Sequence, residues 1–317
     1  MIKGHGDDLY LYDDIRVNFS SNIFSHADLS GLKRHLASRL DVIASYPEPE
    51  PYSLERMLAD QLHIDDRCIM VTNGATEAIY LIAQAFNHCH PVVHEPTFAE
   101  YASACSHIQG TTELHFICNP NNPTGKACQL SFCNDAIYVV DQAYENYTLQ
   151  PMLNDADTVQ THNVILLHSM TKRFCIPGLR LGYVTAHPDI IGRLRQYRQP
   201  WSVNALAIEA GKYLLTHGIP NFPDIHHYLA ETQRLWKRLY AIDGIEMLPT
   251  DTTFMLGTVS RMTASQLKEL LAHRYHILIR DASNFNGLSP HHFRVATQTP
   301  EENDMLVDAI QNILKTS

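Results

Sequence analysis

Two stretches of this chain are apolar at successive positions, Ile137-Tyr-Val-Val140 and Val164-Ile-Leu-Leu167. A strand sends alternate side chains to opposite faces of its sheet, so runs like these suit strands covered on both sides. That favours a mostly parallel sheet between layers of helix. Companion strands are expected at Cys68–Thr72, Val92–His94, Leu114–Ile117 and Leu181–Thr185, with the two central ones at Ile137–Val140 and Val164–His168. Helical spacing falls between and after them, at Ala75–Phe86, Asp189–Tyr197, Val203–Thr216, Asp224–Ala241, Ala264–His273 and Glu301–Lys315. Pro188, Pro223 and Pro300 stand at or just before three of these starts, where a missing N–H costs little. Alternation of this kind is the mark of α/β architecture.

The pattern changes near residue 220. A long helix leads there to strands at Ile245–Leu248, Phe254–Val259, Ile277–Arg280 and His292–Ala296, a small α+β unit. The expected division is an N-terminal arm contributing to the small domain (1–45), a large domain (46–220) and a small C-terminal domain (221–317). The alternating prolines of Tyr46-Pro-Glu-Pro-Glu-Pro51 exclude a helix and predict an extended crossing segment.

Charge narrows the partners. The formal net charge is −10, which argues against nucleic acid or an anionic membrane, since both reward a basic face. The seven cysteines are scattered without metal spacing, as expected of reduced thiols in the cytoplasm. The first residues carry no apolar run like that of a signal peptide, and no stretch approaches a membrane span. Among the 19 histidines, His226-His227 and His291-His292 are adjacent pairs whose rings diverge; no metal site is expected.

Four local patterns carry chemistry. Ser169-Met-Thr-Lys172 follows an apolar strand and precedes Ile176-Pro-Gly-Leu-Arg180, offering an amine together with several donors for a phosphate. Lys172 alone would read as a surface charge. Asp141 closes a buried strand, where α/β sheets bind ligands and where a carboxylate needs a facing cation. Alone it would equally read as a loop or capping residue. Asn119-Pro-Asn-Asn122-Pro-Thr-Gly125 is a constrained turn able to aim an amide at a ligand. Val71-Thr-Asn-Gly74-Ala75-Thr76 ends a strand and opens a helix, whose first amides can bind phosphate. There is neither G-x-G-x-x-G after a strand nor a G-x-x-x-x-G-K-[ST] loop.

Taken in this order, the four motifs resemble the class I/II aminotransferases, pyridoxal-phosphate (PLP) enzymes of fold type I, over nearly the whole chain. The resemblance implies a PLP-dependent transferase fold with Lys172 holding the cofactor covalently. Asp141 would face its pyridine nitrogen, and Tyr144 and Asn122 its phenolic oxygen. Ala75, Thr76, Ser169, Thr171 and Arg180 would bind its phosphate. Phe98, in Glu95-Pro-Thr-Phe98, would stack on the ring or serve the core. Tyr46 would reach the phosphate of a neighbouring subunit, implying a homodimer with shared sites. Arg294, in Phe293-Arg294-Val295, would grip the carboxylate of an amino-acid substrate, with Asn22 nearby.

Within that family, Gly4-His5-Gly6, Val17-Asn-Phe-Ser-Ser-Asn22, Pro200-Trp-Ser-Val-Asn204 and Ile279-Arg280-Asp-Ala-Ser-Asn284 resemble the threonine-phosphate decarboxylases. His5 would meet a substrate phosphate or lie on the surface. Most other motifs are shared with histidinol-phosphate aminotransferases. Three functions therefore stand open: a decarboxylase of a phosphorylated amino acid, an aminotransferase, and a non-catalytic PLP-fold binding protein. Two departures stand out. Gln142 replaces the usual glutamate after Asp141, and only 15 residues separate Gly125 from Asp141, where the family fits a full helix.

Overall fold

The computed structural model describes residues 8–315. Its first strand, after a short 3-10 turn at Leu9–Leu11, is the two-residue β1 (Val17–Asn18). A large sheet follows from β2 (Ile69–Thr72), β3 (Cys89–Val93), β4 (Thr112–Cys118), β5 (Ile137–Asp141), β6 (Val164–His168) and β7 (Gly182–Ala186). The last third adds β8 (Ile245–Met247), β9 (Phe254–Val259), β10 (Ile277–Leu278), β11 (Arg280–Asp281) and β12 (His292–Ala296).

The large sheet runs β2-β7-β6-β5-β4-β3. Strands β3 to β6 pair in parallel, and β7 pairs antiparallel with both β6 and β2. Every residue of β2, β6 and β7 is buried, which is why the runs that announced this sheet are continuously apolar. One face packs against the helix Gly74–Ala85 through Ala78, Ile79 and Ile82, and the other against Tyr52–Leu62 and Ala205–His217 through Leu54, Leu58 and Leu214. The pairing directions bring the outgoing ends of β2 to β6 to one edge, where β7 begins. Ligand sites of open α/β sheets form at such an edge.

The second core surrounds the four-stranded sheet β11-β12-β9-β8, with Leu235, Leu239, Leu267, Leu271, Ile310 and Ile313 of three helices against it. Phe19 and Val17 belong to this core, because β1 pairs with β10. The single strand expected at Ile277–Arg280 is a correction. The chain changes partner at Ile279, so Ile277–Leu278 joins β1 while Arg280–Asp281 joins β12. The segment from Tyr46 to Pro51 is not helical, as its prolines require. No helix lies between β4 and β5; the stretch 119–136 crosses as turns and extended chain, with Leu130 and Phe132 covering Tyr138 and Val140. Among the described residues no helix is long and apolar enough to cross a membrane.

Candidate active site

The sheet edge that gathers Thr72, Cys118, Asp141 and His168 also opens into a cavity of about 550 Å³. Its lining includes Ala75, Thr76, Phe98, Asn122, Asp141, Tyr144, Ser169, Thr171, Lys172, Arg180 and Arg294, all singled out from the sequence. These residues span more than 200 positions of chain, and the topology alone explains their meeting.

Lys172 sits in the one-turn helix Met170–Arg173, capped by Ser169, whose Oγ accepts from the Lys172 amide at 3.3 Å. Lys172 Nζ donates to the carbonyl of Ser21 at 2.7 Å and lies 5.8 Å from the centre of the Tyr144 ring. Arg180 has left-handed backbone (φ 56°) just ahead of β7, and its Nη1 donates to the Pro177 carbonyl. A Cβ on Gly74 would approach Arg180 Nη2 to 2.8 Å, so glycine leaves the guanidinium its place above the helix start.

Asp141 is fully enclosed. Oδ2 accepts from the Tyr101 hydroxyl at 2.7 Å, and Oδ1 from the Ala143 amide at 2.9 Å. Burial still raises its carboxyl above the ordinary range, with the Tyr101 and Ala143 bonds pulling the other way. A protonated nitrogen placed in the cavity would remove that penalty.

Across the cavity the two cores meet. Arg294, on β12, is buried; Nη1 donates to Asn122 Oδ1 and Nη2 to the Ser20 carbonyl at 2.6 Å. Its Nε is buried without a partner among the described residues, as is Asn22 Oδ1. Burial pulls the Arg294 guanidinium down to about 10, Tyr144 opposing and Arg280 reinforcing. Asn22 does not line the cavity but reaches Tyr144, its Nδ2 donating to the hydroxyl at 3.4 Å. Burial pushes the Tyr144 phenol up to about 12. Phe98 does both things open to it, lining the cavity and meeting Tyr101 edge-on in the core, centroids 5.7 Å apart.

Tyr46 lies elsewhere on this chain. It is 86% exposed and leans on Trp201, centroids 5.3 Å apart. His5 falls outside the described residues. Sequence reasoning missed Tyr101 and Glu100, and gave no role to Ser20, Ser21, Cys118 and Phe285 although they fall within its motifs; all six also line the cavity. Tyr101 lies 40 residues from Asp141 and only pairing of the strands unites them. Arg280 and Asn284 were visible only as part of a resemblance; here Arg280 Nη2 donates to Asn284 Oδ1 at 2.8 Å in the cavity wall. Of the histidine pairs, His291 Nδ1 faces backbone carbonyls, while His226 and His227 are exposed. On the surface, away from the cavity lining, His162, His187 and Asp189 bring ligand-type atoms within 4.8 Å of one another.

The available groups fit PLP. An enclosed carboxylate, a nearby primary amine and a guanidinium over a helix start would match its ring nitrogen, aldehyde and phosphate.

Comparison with known proteins agrees. The family model for aminotransferase class I and II matches residues 107–310. A threonine-phosphate decarboxylase of Salmonella typhimurium is 28% identical, the match covering 95% of this chain and 92% of that protein. A histidinol-phosphate aminotransferase of a Thermoanaerobacter species is 31% identical over 85% of this chain and 84% of its own. The crystal structure of an L-threonine-O-3-phosphate decarboxylase from Porphyromonas gingivalis superposes with a TM-score of 0.90 at 35% identity, covering 94% of this chain and 99% of that one. The chain therefore belongs to the class I and II aminotransferases and is a PLP-dependent enzyme of their α/β fold.

Proposed function

We propose that this enzyme removes the α-carboxylate of an O-phosphorylated amino acid such as phosphothreonine. The observation that carries the reading is one cavity shared by Lys172, Asp141 and Arg180 on one side and two buried arginines, Arg294 and Arg280, on the other. A substrate with two anionic groups needs two such partners. The relatives named as threonine-phosphate decarboxylases support the same choice.

When bound, PLP supplies an electron-withdrawing ring that takes up charge released at the substrate's α-carbon. In this reading Lys172 Nζ holds the cofactor covalently and then moves a proton at that carbon. Asp141 keeps the ring nitrogen protonated. Tyr144 and Asn122 donate to the ring oxygen, and Phe98 covers one ring face. Arg180, with Ser169, Thr171 and the amides of Ala75 and Thr76, holds the phosphate. Arg294 orients the substrate carboxylate, Asn22 acts behind it through the Tyr144 hydroxyl, and Arg280 with Asn284 takes the distal phosphate.

The second reading is an aminotransferase for a phosphorylated amino alcohol, favoured by the 31% identical Thermoanaerobacter relative. A paired assay separates the two. Purified holoenzyme with O-phosphothreonine is expected to release carbon dioxide. With histidinol phosphate and 2-oxoglutarate it is expected to form no glutamate. Glutamate without carbon dioxide would reverse the choice, and silence in both would remove the substrate assignment.

We further propose a homodimer that shares its active sites through Tyr46. Support comes from an apolar patch around the crossing segment, with Leu40, Ile43, Tyr46, Tyr52 and Trp201 all exposed. We also propose residues 46–220 and 221–317 as large and small domains, with 1–45 as an N-terminal arm that contributes to the small domain. All seven cysteines are unpaired, which supports a reducing, cytoplasmic setting.

A further inference from the structure

His168 ends β6 one residue before the Ser169–Lys172 turn and is 1% exposed. Its ring is held at both nitrogens. Nδ1 meets Glu145 Oε1 at 3.0 Å, and Nε2 meets Asp155 Oδ1 at 2.9 Å with Thr185 Oγ1 at 3.3 Å. A neutral imidazole has one donor and one acceptor, whereas two carboxylates can only accept; both contacts are satisfied together only by the protonated ring. The Tyr183 ring stacks on it at 4.5 Å, and Thr185 Oγ1 also donates to Asp155 Oδ1 at 2.5 Å.

The partners come from separate elements. Glu145 begins the short helical turn that follows Asp141 and Tyr144, and Asp155 opens the helix Asp155–Thr158. Tyr183 and Thr185 belong to β7. The charged or titratable groups facing this ring are thus Glu145 and Asp141 from β5 and its extension, Asp155, Tyr183, and Arg173 of the lysine-bearing turn beyond Tyr183. Gln142 adds a neutral brace, its Nε2 reaching Glu145 Oε2 at 3.3 Å and the Leu153 carbonyl at 3.2 Å. Burial alone disfavours a charged ring, but Tyr183, Glu145 and Asp155 together hold the imidazole protonated well above its ordinary range. The same positive charge helps keep the enclosed Asp141 ionised, while Glu145 acts against it.

We propose that His168, as an imidazolium clamped between Glu145 and Asp155, is a positioning residue that fixes the Asp141–Tyr144 loop against the Ser169–Lys172 turn and sets the charge balance behind the cofactor. It touches neither substrate nor cofactor in this arrangement; it acts through Asp141 and the two loops. The inference rests on the PLP reading above.

The test is the pH titration of the visible absorbance of the holoenzyme, with cofactor release measured alongside. His168→Gln removes a positive charge, and its absorbance midpoint is expected to rise by about half a unit or more. Glu145→Gln removes a negative charge and is expected to move the midpoint down. His168→Arg keeps a charge able to pair with two carboxylates and is expected to restore the wild-type midpoint and cofactor retention. A merely structural role would not give opposite signs. Equal midpoints in folded His168→Gln and wild type, or shifts of the same sign in His168→Gln and Glu145→Gln, would overturn the proposal. Should His168→Gln not fold, His168→Arg decides: a shifted midpoint or lost cofactor retention in that folded variant would overturn the proposal. A wild-type protein that binds no chromophore would instead bring down the PLP reading itself, and this inference with it.

Discussion

Lys172 and Asp141 show how single side chains acquire meaning from place. Each sits beside a strand end, and the sheet turns 31 positions of separation into one cavity wall. Replacing Lys172 by alanine is expected to abolish borohydride-fixed cofactor mass and to lower turnover by about 10²–10⁴-fold. Mass spectrometry and a decarboxylation assay check this, and full turnover in that variant would refute the assigned role. Arg294→Gln should raise KM by about 10–100-fold, the scale of a lost charged hydrogen bond. An unchanged KM would show that another group grips the substrate. At this scale the sequence was informative wherever a residue carries a local signature, as Asn122 does before Pro-Thr-Gly. It was silent on Tyr101, whose role depends on Asp141 of a distant strand and leaves no mark in its own surroundings.

Among elements, β5 and β6 were legible because burial on both faces leaves a run of apolar residues. The helices Ser30–Ser38 and Tyr52–Leu62 were not anticipated. The first buries only Leu32, so its periodicity is faint, and the second follows directly on a proline-rich stretch that masks its start. Partner exchange at Ile279 was equally hidden, since a strand's residues do not state which sheet each half will join. The turn Asn119–Gly125 gives a sharp test. Gly125 has φ 70°, and a Cβ there would collide with Thr250 Oγ1 and the Phe254 carbonyl. Gly125→Ala should cost about 1–3 kcal/mol, read as a lowered thermal midpoint, and should weaken cofactor binding through Asn122. The Asp155 helix gives a pH test. Burial alone would raise the Asp155 carboxyl, but His168 and Thr185 bring it below its usual range. A depressed carboxyl contributes stability above its unfolded value and loses it as pH falls through the folded value. Thermal stability should therefore drop below about pH 4, and Asp155→Asn should flatten that limb. A variant with an unaltered acid limb would rule the pair out as its source.

For the whole molecule, two cores joined around a shared cavity make assembly the main open prediction. Ile43→Asp combined with Tyr46→Asp places charge in the exposed apolar patch. Sedimentation is expected to show a dimer in the wild type and a monomer in this double variant, with impaired cofactor retention. A wild type that sediments as a monomer would refute the shared-site arrangement. The strand that opposes its neighbours in the large sheet has a mechanical consequence. Since β7 starts where β6 stops, the nine residues from Lys172 to Arg180 leave the rim and return to it without crossing the sheet. Amine and guanidinium thus ride on one short bracket, and their mutual spacing is set by that bracket alone.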